Sequence, residues 1–415
     1  MEVPGRSDMV LRNSDSNYVF RSGKFYNGSP AQEKARKGSS WFQFWNIAFS
    51  FGSRLFLIPY SFWYDSDTQI FRLESSKFQK FIWLMMQSTG LILTRVRVLD
   101  GWESFKHSDA PLRYFNFVGF LVVVFCFDTT FKCVLWGNQQ KLKEFLNELQ
   151  HSPLLEISSK RSLKIKFVLG FSISYLILSF FYFCFAYGID SFDLKPFHEA
   201  VRNQAMATFS LDDSWDASPL FPFLMAGSFI INQYQASFCH FNDVYVLSSI
   251  FLMYTIAKDF TKALKTDRQS CSQVLGLMRS YRSLISKFNT SMGLATCVYS
   301  LYFTPYYATH LIDMLNRSDF LNRFSMSVYL GFLALGLTAA VKINTMAIQM
   351  KRWLSLEERY TKNVEIQALS IFLNDLKTKK FALGSFYVIH NGLTGQIVNL
   401  ILTLAIITIQ MNMSG

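Results

Sequence analysis

Long apolar runs alternate along this chain with short stretches in which charge collects. Crossing a bilayer core of about 30 Å takes about 20 helical residues at about 1.5 Å each. Runs of that length lie near 41–63, 79–99, 115–137, 165–188, 219–256, 288–316, 326–349 and 385–411. The run from Phe115 to Trp136 carries only Asp128 and Lys132 as charges, and the run from Phe167 to Gly188 carries none. The pattern predicts helices that cross a membrane repeatedly.

The polar stretches set direction, because Lys and Arg are retained on the cytoplasmic side. They number five in 138–164, two in 189–218, seven in 257–287, two in 317–325 and seven in 350–384. The alternation assigns 138–164, 257–287 and 350–384 to the cytoplasm and the end of the chain, just after Gln410, to the outside. Segment 189–218 also holds six acids, Asp190, Asp193, Glu199, Asp212, Asp213 and Asp216. Counting back puts 100–113 outside and 64–78 inside.

The first run breaks the series. If 41–63 spanned, the 40-residue tail before it would be exported with seven Lys/Arg. Arg54 sits mid-run, Pro59 interrupts a helix, and Trp41, Trp45 and Trp63 flank it as interface aromatics would. A re-entrant or interfacial helix over 41–63 is therefore expected, after a cytoplasmic tail over 1–40. The expected fold is all-α: a seven-span polytopic membrane protein, N-terminus cytoplasmic and C-terminus extracellular. Six spans build a bundle over 79–349, and the last lies at 385–411. Arg95 and Arg97, near the outer end of 79–99, must then snorkel.

Two runs are too long to stay in the bilayer. The 219–256 run covers 38 residues, roughly 57 Å as helix. The stretch from Val274 begins with an amphipathic piece whose apolar Leu275, Leu277, Met278, Tyr281, Leu284 and Ile285 recur at three-to-four spacing, with Arg279, Arg282 and Lys287 largely between them. A third amphipathic piece runs from Trp353 to Leu376, within 350–384. Three projections on one side predict a packed cytoplasmic helical domain; independent surface helices are the alternative.

Composition agrees and narrows the chemistry. Half of the residues are hydrophobic and 17% charged, against about 25% charged in soluble domains. The net charge of +12 is dispersed between apolar runs, with no nucleic-acid motif. Cys126, Cys133, Cys184, Cys239 and Cys297 lie in apolar runs and Cys271 in a cytoplasmic loop, leaving no extracellular pair. Sequons at Asn316 and Asn412 fall outside but hug the membrane. No hydrolase, zinc-protease or phosphate-loop motif occurs. His240, beside Asn242 and Asp243, is a candidate ligand, and Asp128 and Asp243 are intramembrane acids. An enzyme, a cofactor and a metal are not expected.

The last run differs. In NGLTGQIVNLILTLAIITIQMNMSG, from Asn391, the residues Gly392, Gln396, Asn399, Thr403 and Gln410 share one helical stripe whose missing member is Ile407. Amides in a membrane must meet water or another polar group. They are either glue between helices or the wall of a water-filled path through a symmetric assembly, with Ile407 an apolar constriction that closes by dewetting.

Thr403 to Met411, TLAIITIQM, resembles the closing signature of insect gustatory receptors, Thr-Tyr, five apolar residues, Gln-Phe. Phe381 to Leu393, FALGSFYVIHNGL, is similar to that family's Phe-Thr-Ala-x-Gly-Phe-Phe segment. Leu404 and Met411 depart from the signature, standing where Tyr and Phe are usual. The similarity is strongest over roughly the last 35 residues and architectural elsewhere. It implies a tetrameric ligand-gated cation channel related to insect odorant receptors, whose last helix lines the pore and whose cytoplasmic helices, 350–384 among them, anchor the tetramer. By position, Gln410 matches the pore glutamine, Ile407 and Met411 the apolar gate, and Thr403 the motif threonine; Asn399 and Gln396 extend the stripe.

The same resemblance puts a tastant site in the outer half of the bundle. This chain supplies aromatic and polar groups there: Tyr182, Tyr187, Asn232, Gln233, Tyr234, Tyr302, Tyr306, Tyr307, His310 and Tyr329. They lack a carboxylate cluster, which favours bitter or aversive compounds over sugars. Expected partners are a small tastant, permeant cations, membrane lipid and further gustatory receptor subunits in a homo- or hetero-tetramer, in the plasma membrane of sensory neurons. A G-protein-coupled receptor and a transporter are the alternatives; the first needs an external N-terminus and the second usually internal repeats, and neither feature is found.

Overall fold

The computed structural model describes residues 40–65, 70–106, 132–133, 136–155, 194–266, 271–294, 338–346 and 348–350, with isolated positions at 331, 352 and between 382 and 410. The tail over 1–39, nearly all of the expected spans 115–137, 165–188 and 288–316, and the piece 353–376 lie outside these residues.

Helix α1 covers Ser40–Arg54, so the segment expected to be helical to residue 63 stops sooner. Its end is a left-handed cap: the Leu57 N–H reaches the Gly52 carbonyl at 2.7 Å and the Phe56 N–H the Ser53 carbonyl at 3.2 Å, with Phe56 at φ 55°. The chain then forms an antiparallel hairpin, β1 (Ser61–Asp65) with β2 (Ile70–Glu74), Phe62 opposite Leu73. The expected all-α fold is corrected to a mostly helical one with this ribbon. Its rings hold it: Phe62 stacks on Phe71 at 5.0 Å and meets Phe49 of α1 at 4.4 Å, while Arg72 binds Asp65 at 2.8 Å. Trp45 is likewise no interface residue; it is fully buried, 6.3 Å from Tyr245.

Helix α2 follows at Lys77–Lys106 and α3 at Gln139–His151. The sequence of α3 is a short amphipathic helix: Leu142, Phe145, Leu146 and Leu149 recur at three and four residues and all are buried. It ends where Ser152 turns extended before Pro153, as the clash with the proline ring dictates. Helix α4 (Leu194–Phe209) leads through a 3-10 turn (Asp213–Ala217) into α5, which runs 46 residues from Phe221 to Thr266. Helix α6 (Cys271–Phe288) continues into a π turn, Asn289–Gly293. Two short strands, β3 (Ala382–Leu383) and β4 (Tyr387–Val388), pair at the start of the last run, so the stretch expected as helix from residue 385 holds a strand at Tyr387–Val388, and β3 packs against the π turn.

Among the described residues no helix is long and apolar enough to cross a membrane. Lys77, Lys80, Gln87, Arg95, Arg97 and Asp100 interrupt α2, and Asn232, Gln233, Gln235, His240, Asn242 and Asp243 interrupt α5.

The core gathers along the second half of α5. Every residue from Val244 to Ile250 is buried, which requires neighbours all round; beyond that stretch Leu252, Met253, Ile256, Phe260 and Leu264 form one buried face, with Lys258, Lys262 and Lys265 on the other. Helices α1, α3 and α6 and the hairpin supply the neighbours. The expected stripe of α6 is the packed one: Leu277, Met278, Tyr281, Leu284 and Ile285 are buried and Arg279 is exposed.

Candidate functional site

Three helices meet in a polar clasp along α5. The Tyr234 hydroxyl donates to the Phe56 carbonyl at 2.7 Å and accepts from Gln87 Nε2 of α2 at 3.2 Å. One residue on, Gln235 Nε2 donates to the Met86 carbonyl at 2.9 Å and to Thr89 Oγ1 at 3.0 Å. Gly90 allows this approach, since a Cβ there would stand 3.1 Å from Gln235 Oε1. Gly52 does the same for α1, where a Cβ would lie 2.8 Å from the Phe241 ring. Amide and hydroxyl bonds of this kind join helices where no water competes.

Below the clasp, Trp136 anchors an aromatic group. Its indole N–H donates to Asn242 Oδ1 at 3.1 Å, and its rings lie 5.9 Å from Tyr60, 6.1 Å from Phe241 and 5.7 Å from Tyr245. The hydroxyls of Tyr60 and Tyr245 are buried there without a hydrogen-bond partner. The hairpin is tied to α3 by the Phe71 N–H, which donates to Asn147 Oδ1 at 2.8 Å. Helices α3 and α6 are joined by Phe145 against Phe288 at 5.5 Å, Ser152 Oγ against Ser280 Oγ at 2.9 Å, and Lys287 donating to Glu144 at 2.6 Å. Bonding to Lys287 holds the Glu144 carboxyl below its ordinary pKa.

At the far end of α4, a cleft of about 440 Å³ opens among Leu99, Arg202, Asn203, Met206, Leu211 and Asp213. The Arg202 guanidinium binds Asp213 at 2.8 Å and Asp216 through both carboxylate oxygens, at 2.9 Å and 3.0 Å from Nε. That bond lowers the Asp216 pKa and raises that of Arg202.

The last run presents a face. Gln396, Asn399, Thr403 and Gln410 are helical and exposed in the single chain, and at about 100° per residue they fall within about 60° of one another. Leu402 and Ile406 lie beside them, 48% and 54% exposed. Ile407 and Met411 lie outside the described residues. Of the residues proposed for ligand contact, Tyr234 is half-buried in the clasp, Asn232 is half-buried and Gln233 buried. Tyr182, Tyr187, Tyr302, Tyr306, Tyr307, His310 and Tyr329 lie outside the described residues, as does Asp128. Sequence reading missed Asn242 as the partner of Trp136 and α3 as a packing element; the spacing of Leu142, Phe145, Leu146 and Leu149 was the available signal for the second. Among the described residues no group of three or more His, Cys, Asp or Glu is placed to hold a metal.

No protein-family profile and no curated protein matches this sequence. The fold does match. An olfactory receptor of the insect Machilis hrabei, solved in complex with eugenol, aligns with a TM-score of 0.61 and 15% identity over 91% of this chain and 98% of its own. A second structure of the same receptor aligns with a TM-score of 0.60 and 13% identity over 89% of this chain and 97% of its own. This chain therefore has the insect olfactory receptor fold from near one end to the other.

Proposed function

We propose that this chain is a gustatory chemoreceptor: a tastant-gated, non-selective cation channel, built as a homo- or hetero-tetramer in the plasma membrane of sensory neurons. The observation that carries the reading is the exposed helical stripe of Gln396, Asn399, Thr403 and Gln410, at the end of a chain with the insect olfactory receptor fold. Four uncharged polar side chains on one exposed face need a wet or polar neighbour. Symmetric apposition of four copies supplies both, and amide and hydroxyl oxygens offer a cation neutral ligands. The gustatory assignment rests on TLAIITIQM over Thr403 to Met411 and on FALGSFYVIHNGL before it. Ile407 and Met411 are the proposed apolar gate. Bitter or aversive compounds are the proposed ligands, taken up in the outer half of the bundle near Asn232 and Gln233, with the tyrosines and His310 of the neighbouring spans.

In this reading the clasp through Tyr234 and Gln235 is the rigid frame of the ligand region, since its hydroxyl and amide are already bonded. The core of α3, α6 and the C-terminal half of α5 is its cytoplasmic base. Recording currents from cells expressing the chain across a tastant panel tests the function. Cysteines at 396, 399, 403 and 410 are expected to react with water-borne thiol reagents and to block current; protection of all four would remove the pore. Gln410→Ala or Ile407→Ala is expected to change permeation or resting current. A protease-accessible N-terminus on intact cells would favour a G-protein-coupled receptor instead.

A further inference from the structure

Where α1 ends and α2 begins, three side chains form a triangle. Ser61 Oγ donates to Gln79 Oε1 at 3.2 Å, Gln79 Nε2 donates to Ser53 Oγ at 3.1 Å, and the two serine oxygens are 3.1 Å apart. Trp83 Nε1 adds a bond to the Leu57 carbonyl at 3.3 Å. This junction joins the two stretches that carry the bases: Arg54 is next in chain to Ser53, and Lys77 and Lys80 lie within two residues of Gln79. All three bases are exposed, and none has a side-chain ion-pair or hydrogen-bond partner among the described residues. Of the described acids, those nearest in sequence are Glu74, exposed, and Asp65, already bound by Arg72. Among the described residues of this corner, the balance is three bases without a partner against one such carboxylate.

Large apolar side chains next to these cations in the chain are exposed as well. Phe51 is 48% exposed, Leu55 44%, Phe78 68% and Phe81 58%. The stripe continues along α2 as Leu84 and Met85. Water alone is a poor neighbour for four such side chains, and an acidic soluble partner would satisfy only the bases.

From this arrangement we infer that the corner between α1 and α2 binds an anionic phospholipid, its phosphate against Arg54, Lys77 and Lys80 and its acyl chains along Phe78, Phe81 and Leu84. The inference rests on the membrane reading above and adds a specific lipid site. Charge complementarity selects the headgroup: bases at the edge of an apolar face keep their stems on the hydrocarbon and their charges at the phosphates. The site would bind the inner leaflet, where anionic lipid is concentrated, and would brace α1 against α2 at the triangle.

Native mass spectrometry of the full chain in mild detergent, titrated with phosphatidylserine or phosphatidylcholine, tests this. About a tenfold preference for phosphatidylserine is expected, falling to none in the Arg54→Gln/Lys77→Gln/Lys80→Gln variant and kept in Arg54→Lys/Lys77→Arg/Lys80→Arg. Should the neutral variant fail to fold, raising salt on the unaltered chain from about 50 mM to about 500 mM is expected to abolish the preference. Equal retention of the two lipids, or a preference indifferent to both the substitutions and salt, would overturn the site. So would equal binding of soluble glycerophosphoserine, which lacks the acyl chains. The two proposals fail separately: a chain that conducts but shows no lipid preference loses only this site, and one that retains the lipid but passes no current loses only the channel.

Discussion

Helix α5 is one element with two kinds of surface. Its N-terminal half leaves Phe223 76% and Ile230 60% exposed and meets its neighbours through side-chain amides and a hydroxyl. Its C-terminal half buries most of its side chains among α1, α3, α6 and the hairpin. Two of its three tyrosines make the same contrast: the Tyr234 hydroxyl has two partners, while that of Tyr245 has none. Where apolar contact is dense, shape holds the structure and polar groups are tolerated at a cost. Where it is sparse, single hydrogen bonds decide how the helices sit.

Truncating one aromatic of the core packed around the C-terminal half, Phe145 of α3, and one on the N-terminal half, Phe223, gives the largest expected difference. Phe145→Ala, which opens a hole facing Phe288, is expected to destabilise by about 3–5 kcal/mol, whereas Phe223→Ala is expected to stay within about 0.5 kcal/mol; thermal unfolding in detergent measures both. Equal losses would break the comparison. Glycines sharpen it next. Gly52→Ala drives a methyl into the Phe241 ring and is expected to cost about 1–3 kcal/mol. Gly227→Ala, with nothing within 4 Å, is expected to stabilise α5 by about 0.5–1 kcal/mol.

Removing one oxygen from each tyrosine follows. Tyr234→Phe leaves the Phe56 carbonyl without its hydroxyl donor and is expected to lose about 1–2 kcal/mol, while Tyr245→Phe deletes an unpartnered hydroxyl and is expected to be neutral or stabilising. A melt that fell for Tyr245→Phe would mean that this hydroxyl is bonded in solution.

The smallest effect is in pH. Glu144 and Asp216 both have pKa values lowered by their basic partners, so each adds stability above its unfolded carboxyl pKa and loses it as pH falls through the folded value. Below the ordinary carboxylate range both pairs open. Lys287→Gln and Arg202→Gln are each expected to flatten the acid limb of a melting-temperature profile, slightly, because the pairs are solvent-exposed.

Much of the base of this fold could be read from spacing. The apolar residues of α6 recur strongly enough to specify the packed face, and a 38-residue run from 219 had to continue as helix beyond any bilayer. The early segment was harder. Nothing local in WFQFWNIAFSFGSRLFLIPY marks Arg54 as the end, because the cap is taken by Phe56, a residue disfavoured at positive φ. The β1–β2 ribbon is five residues a side, too short for alternation to stand out from a run of aromatics. Trp45 looked interfacial because tryptophan often is; only the tertiary contact with Tyr245 buries it. Tyr234 looked free to meet a ligand, and its partners lie 178 and 147 residues away in sequence. The amide stripe at Gln396, Asn399, Thr403 and Gln410 was legible because a polar residue in an apolar run stands out.

The π turn at Asn289–Gly293 carries a consequence for how such a helix can change. A π turn holds one residue more than the α-helical turn it replaces, and one residue is about 100° of rotation. The face that α6 presents to α3 through Phe288 is thereby out of phase with Leu294, which closes the turn. Deleting a single residue in Asn289–Gly293 would leave the contact of Phe145 with Phe288 intact and turn Leu294 about the helix axis. A single-residue insertion or deletion at this point is therefore a rotational step, which changes direction at Leu294 and leaves the packed face of α6 as it is.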